Sequence, residues 1–144
     1  MSLVTAPFRG TLEWVVPPGT DVLPNTVLAW LSVPDHCALR PLITPRGGRL
    51  TWRLDPDLAT VEPGDPVALL GHDAEALTRC LAHERAAARS LLTRLEQDAL
   101  SQPPRSPLAT TLLEPERRSL DARITRLRHL VDQPLEARAR AFGI

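Results

Sequence analysis

The apolar and polar positions of this 144-residue chain change their period once. Before residue 72, short β-prone runs alternate with Pro- and Gly-rich turns. After it, apolar residues recur at helical spacing. Thr11–Val16 and Val27–Leu31, rich in Val, Leu and Trp, are predicted strands, with Pro17-Pro18-Gly19-Thr20-Asp21 as the turn between them. Gly48–Leu54 and Val67–Leu70 are predicted strands with Glu62-Pro63-Gly64-Asp65-Pro66 as their turn, and Leu39–Thr44 leads into them. Asp35-His36-Cys37 falls at an exposed turn between the two sets.

The two sets are copies. At an offset of 38, Pro7, Gly10, Leu12, Trp14 and Pro18 meet Pro45, Gly48, Leu50, Trp52 and Pro56. One extra residue in the second copy shifts the offset to 39, and Val22, Pro24, Ala29 and Leu31 meet Val61, Pro63, Ala68 and Leu70. Two copies are fewer than the roughly three a solenoid needs. The expectation is a pseudo-symmetric β domain, sandwich or small barrel, with each copy giving half of the core. Trp14 and Trp52 are expected at equivalent positions, in that core or on one shared face. Trp30 has no equivalent, since Leu69 stands there, and an exposed Trp30 is a candidate interface anchor.

From Asp73 to Leu100 there is no Pro or Gly, and Asp73 is a plausible N-cap. Leu77, Leu81, Ala88, Leu91 and Leu95 form a heptad-like seam that Glu84 interrupts. Ser101–Pro107 is a proline-rich break. Leu113, Leu120, Ile124, Leu127 and Val131 make a second seam, with Pro115 suited to a first helical turn and Pro134 to an end or kink. The two helices are expected to pair as a hairpin, and Leu135–Ile144 to be a short helix or docking peptide.

Net charge is zero, which argues against nucleic acid or an anionic membrane as the main partner. All 17 basic residues are arginine. Two cysteines make no disulfide framework. No segment resembles a signal peptide or a membrane span, so a soluble cytoplasmic protein is expected. His36-Cys37 is the only adjacent metal-capable pair, and Cys80 and His83 share a helical face, but neither pair makes a zinc pattern. No nucleophile elbow, P-loop or dinucleotide fingerprint occurs. Asp55-Pro56-Asp57 reads as a local cap in a proline-set turn. Arg117, Arg118, Arg123, Arg126 and Arg128 form a basic run, either a solvated face or a dock for an acidic partner.

Ala6-Pro7-x-x-Gly10 followed by Pro18-Gly19-Thr20-Asp21-Val22, and Thr44-Pro45-Arg46-Gly47-Gly48 followed by Glu62-Pro63-Gly64-Asp65-Pro66-Val67, resemble the two halves of a biotinyl/lipoyl-type domain (barrel-sandwich hybrid) over residues 4–71. The resemblance implies an attachment lysine eight residues before Pro45, where this chain has Cys37. The family's cofactors are amide-linked to a primary amine, and without lysine neither biotin nor lipoate is expected here. Cys37 is then a drifted turn residue or a reactive thiol beside His36. The run from Gly48 to Leu70 into a helical seam is also similar to membrane-fusion (periplasmic adaptor) proteins, although those insert the hairpin between the two halves.

The expectation is therefore an α+β chain, a pseudo-symmetric biotinyl/lipoyl-like β-sandwich over 1–71 and a helical hairpin with a C-terminal tail over 73–144. The function expected is a non-catalytic adaptor or scaffold, with no cofactor and no metal. Its contacts would be protein partners or self-association through helices 73–100 and 113–133, with Trp30, His36, Cys37, Arg117 and Arg123 as candidate interaction residues. The alternatives are an accessory subunit of a biotin- or lipoate-dependent complex, or a shortened export-adaptor relative.

Overall fold

The computed structural model describes residues 2–33, 38–58, 60–101 and 114–142. His36 and Cys37 lie outside them. The chain is α+β: eight strands, three α-helices and one 3-10 turn among the described residues. The strands are β1 (Ser2–Thr5), β2 (Gly10–Trp14), β3 (Asp21–Val22), β4 (Thr26–Val33), β5 (Ala38–Thr44), β6 (Gly48–Arg53), β7 (Thr60–Val61) and β8 (Pro66–Leu70). The helices are α1 (Ala74–Ser101), α2 (Glu114–Asp132) and α3 (Leu135–Ala141).

The strands form two antiparallel sheets, ordered β1-β8-β6-β3 and β5-β4-β2-β7. Each order ends in two edge strands, so the sheets are open and make no barrel. The barrel-sandwich expectation is corrected on that point. The second order is the first with every strand replaced by the one four places along. The copies also interlock: β3 of the first pairs with β6 of the second, and β7 of the second with β2 of the first. Val16, Val22, Leu28, Leu50, Ala68 and Leu70 form one core cluster drawing on both sheets, with Val4 and Trp14 packed against it.

Four strands were not legible as such. β3 and β7 are two residues long, too short for a periodic signal, and β1 is four. β5 carries Pro41, a strand breaker in a sheet centre, but β5 is an edge strand where the missing N–H is tolerated.

The registers correct the tryptophan match. In the first copy Leu12 pairs with Leu31, Glu13 with Trp30 and Trp14 with Ala29. In the second, Leu50 pairs with Leu70, Trp52 with Leu69 and Arg53 with Ala68, with a bulge between Leu50 and Trp52. The extra residue of the second copy therefore enters at Thr51, before Trp52, because the offset passes from 38 to 39 there. Backbone bonds agree: Val15 N–H donates to Leu28 O at 2.9 Å, and Leu54 N–H to Val67 O at 2.8 Å. Trp52 thus takes the place of Glu13, and Arg53 that of Trp14. A one-residue slip moves a side chain to the opposite face of its sheet. Trp14 packs inward with the core cluster, whereas Trp52 stands on the outer face beside Leu69.

The chain divides into two compact units, Met1–Glu84 with Leu135–Ile144, and Arg85–Pro134. α1 runs from one unit into the other, and the tail groups with the first unit. Asp73 caps α1, its Oδ1 accepting from the N–H groups of Glu75 at 3.0 Å and Ala76 at 3.1 Å. Within the second unit Ala88, Ile124 and Leu127 are buried, and Arg128 gives Glu96 Oε1 two hydrogen bonds, from Nε at 3.0 Å and Nη2 at 2.7 Å. Leu113 lies outside the described residues. Pro115 sits in the first turn of α2, and α2 ends two residues before Pro134, as that ring requires.

At Gly10 the sheet leaves no room for a side chain: a Cβ there would stand 2.3 Å from the backbone oxygen of Ser32. Gly10→Ala is expected to lower stability by about 1–3 kcal/mol through that overlap, read as a shift in urea midpoint. An unchanged midpoint would refute this account of the β2–β4 contact.

Candidate functional site

Two places in the first unit stand apart from ordinary core and surface, each a row of three paired residues on one of the two sheets. On the outer face of the first sheet, Leu3, Leu69 and Trp52 run across β1, β8 and β6. On the second, the same places across β5, β4 and β2 hold Pro41, Trp30 and Glu13.

The first row is covered at Leu69 and Trp52, while Leu3 on the edge strand β1 is exposed. Leu69 is 0% exposed and Trp52 1%, and the first turns of α1 bury Leu77, Cys80, Leu81 and Glu84. This is why β6 and β8 are apolar or buried on both faces, while β2 alternates. Glu84, 1% exposed, is the one acidic or basic residue among the buried described residues. Its Oε2 accepts from the Trp52 indole Nε1–H at 3.0 Å, and its Oε1 is ion-paired with the Arg138 guanidinium of α3. Among the described residues, neither Glu84 Oε1 nor Arg138 Nη1 has a hydrogen-bond partner beyond that ion pair.

Burial raises the Glu84 carboxyl above its usual range. The charge and hydrogen bond of Arg138 and the Trp52 N–H pull the other way, and the Asp55 carboxylate adds to the rise. One turn earlier on α1, burial and then the nearby Glu84 charge push the Cys80 thiol up to about 11, with Arg79 opposing. A thiol held there is no nucleophile at neutral pH. His83 does not join Cys80 as a ligand pair but faces Asp65 at 3.9 Å. No group of three or more metal-capable side chains occurs among the described residues.

The second row is open. Trp30 is 38% exposed, and its neighbours on the edge strand, Leu39 and Ile43, are 63% and 45% exposed. Glu13 and Pro41 are exposed beside them. Trp14, on the inner face, keeps a buried Nε1–H without a partner, and the Arg53 guanidinium lies 5.5 Å from its ring centroid.

Of the expected interaction residues, Trp30 is exposed on β4. Arg123 is exposed on α2 in the second unit, and Arg117 lies in the first turns of α2. Asp55 holds a local cap as expected, accepting from the Asp57 N–H at 2.9 Å. Glu84, Arg138, Leu39 and Ile43 were missed. Glu84 did leave a signal: a carboxylate in an apolar seam demands a buried donor, and every basic residue of the chain is an arginine.

No protein-family model matches this chain, and no curated protein matches it. Among solved structures it is similar to a succinylglutamate desuccinylase/aspartoacylase from Rhodobacter sphaeroides, with 26% identity and a TM-score of 0.43. The likeness covers 49% of this chain and 22% of that one, so the chain spans about a fifth of that structure's length. This corrects two expectations. The match is not to a biotinyl/lipoyl domain, so the assignment drawn from the proline–glycine motifs is withdrawn, together with the adaptor resemblance resting on it. The protein matched bears an enzyme's name, so the expectation that this chain is not an enzyme is withdrawn as well. At that TM-score the likeness carries no chemistry across.

Two outcomes follow from the covered row. Because the folded protein holds the Glu84 proton more tightly than the unfolded chain does, this group's contribution is fully present below the unfolded pKa near 4.5 and is lost as pH rises through the raised folded value. Glu84→Gln is expected to flatten that part of the stability–pH curve, read by urea unfolding across the acid range; an unchanged slope would refute it. Trp52→Phe, which leaves the carboxylate one donor short, is expected to lose about 1–3 kcal/mol, while Trp14→Phe removes an N–H that has no partner and loses less through hydrogen bonding. Equal losses in chemical denaturation would count against the Trp52–Glu84 bond.

Proposed function

We propose that this chain is an assembly module that docks a partner protein on the open row of its second sheet. The observation that carries the reading is the contrast between equivalent rows. Leu69 and Trp52 of the first row are buried, with Glu84 of α1 bonded to Trp52, while the Pro41–Trp30–Glu13 row, flanked by Leu39 and Ile43, faces solvent. Tryptophan at the centre of an exposed apolar patch is a typical binding anchor. The chemistry of the occupant follows from the covered row. An amphipathic helix lays its seam there, and on the open row Glu13 stands where Trp52 does, so the partner helix carries a basic side chain within its apolar face to meet that carboxylate.

The two copies are read as halves of one pseudo-symmetric sandwich, supported by their matching strand orders and registers. The α1 and α2 segments are read as a hairpin, supported by the Arg128–Glu96 pair, and as a second contact arm through helices 73–100 and 113–133. A cytoplasmic setting belongs to the same proposal; among the described residues no helix is long and apolar enough to cross a membrane.

A photo-crosslinking amino acid at position 41, beside Trp30 on the edge strand, tests the docking face. The expected product is a crosslink to an amphipathic helical segment of a different protein, with Glu13→Lys and Leu39→Asp each abolishing it while the thermal midpoint stays put. Crosslinks only between copies of this chain, or a crosslink indifferent to both substitutions, would overturn the partner-helix reading.

A further inference from the structure

The covered row holds a feature that a purely structural ion pair does not need. Arg138 reaches Glu84 from α3, a helix of seven residues that has no fully buried side chain. Leu135, Ala137, Ala139 and Phe142 are only half-buried. Pro134 separates α3 from α2, so the segment begins at a built-in break. The tail thus places one guanidinium on a buried carboxylate and commits no fully buried apolar side chain of its helix to the core.

What remains when it lifts is not indifferent. Glu84 stays at the foot of the cleft with the Trp52 indole N–H on one oxygen and nothing on the other. An ionised carboxylate left unpaired in such a place is strongly unfavourable, so the vacated position must be filled by another cation or by a proton. The groups facing it define the taste of the cleft. Trp52 from β6 supplies a donor, Asp55 beyond β6 a further negative charge, and Cys80 on α1 a neutral thiol. Two carboxylates and an indole favour a planar, weakly hydrated cation over a compact ammonium.

We propose that the Glu84–Trp52 cleft is a guanidinium-binding site, filled in cis by Arg138 of the tail helix and open to an arginine side chain of another protein when that helix lifts. The tail is then a built-in competitor: an incoming arginine must displace a ligand tethered at high effective concentration. The exchange is chemically balanced, since one guanidinium replaces another and no proton moves. It is independent of the Trp30 face, because it uses the opposite row, a different helix and a polar ligand.

The test uses the full chain carrying Arg138→Ala, with the three indole N–H resonances as readout. Ethylguanidinium is expected to shift the Trp52 resonance saturably in this variant and not in the native protein, where the site is taken. Tetramethylammonium, which has the charge but no N–H, is expected to bind at least about tenfold more weakly. An acetylated, amidated peptide of sequence LEARARA is expected to reproduce the shift, and its counterpart with alanine in place of the first arginine, the one equivalent to Arg138, is not. In the native protein, the α3 amides are expected to exchange with solvent faster than the α1 amides around Glu84. A folded variant with no saturable Trp52 shift would overturn the proposal. So would α3 exchange that occurs only with the α1 amides. If Arg138→Ala and the longer-stemmed Arg138→Met both fail to fold, Arg138 is an obligatory part of the core rather than a displaceable plug, and the proposal falls.

Discussion

Glu84 can be buried only because two other parts of the chain arrive at it. Its seam position on α1 takes it into the interface with the first sheet, where an ionised side chain is tolerated only if its oxygens are met. Trp52 meets one and Arg138 the other. Those two contacts link a strand, a helix and the C-terminal tail within one unit, although the residues lie 32 and 54 positions from Glu84 in the chain. Without them α1 would bury a bare charge, and its apolar neighbours Leu77 and Leu81 would be a less secure cover for β6 and β8. The Cys80 thiol shares this setting and is kept protonated by it.

That arrangement depends on one bulge. The extra residue of the second copy enters at Thr51, whose hydroxyl donates to Gly71 O at 2.7 Å. The bulge turns Trp52 outward, toward α1, whereas its apparent counterpart Trp14 stays inward. The same insertion brings Arg53 inward beside Trp14, where its Nη1 donates to Val16 O at 2.8 Å. A single added residue thus makes the two copies chemically different on both faces. One sheet receives a helix and a polar clasp, and the other keeps a tryptophan and two aliphatic side chains in solvent.

Motif likeness misled where it rested on turn residues. Prolines and glycines at fixed offsets report where a chain bends and which backbone angles it needs, as the positive φ angles of 64° at Asn25 and 85° at Gly64 show at equivalent turns. They say little about ancestry or chemistry, and many β domains share them. The likeness to a solved structure covers under half of this chain. The reading offered for this protein therefore rests on its own rows of side chains.

The repeat, the strands rich in Val, Leu and Trp, the Asp73 cap, the two helices and their ends at proline follow from local propensity and periodicity, and the sequence alone determined them. So did the exclusion of lysine-linked cofactors, since the chain has no lysine. Trp30 was legible as unusual because the other copy has Leu69 there. The tertiary structure alone decided which residue of the second copy is the insertion, because a register is a property of two paired strands and several alignments of one sequence fit equally well. It alone decided that Glu84, which looked like a flaw in a seam, is the partner of Trp52 and Arg138. Burial and pairing across tens of residues leave no periodic trace, and a charge reads as solvent-facing until its partners are brought to it.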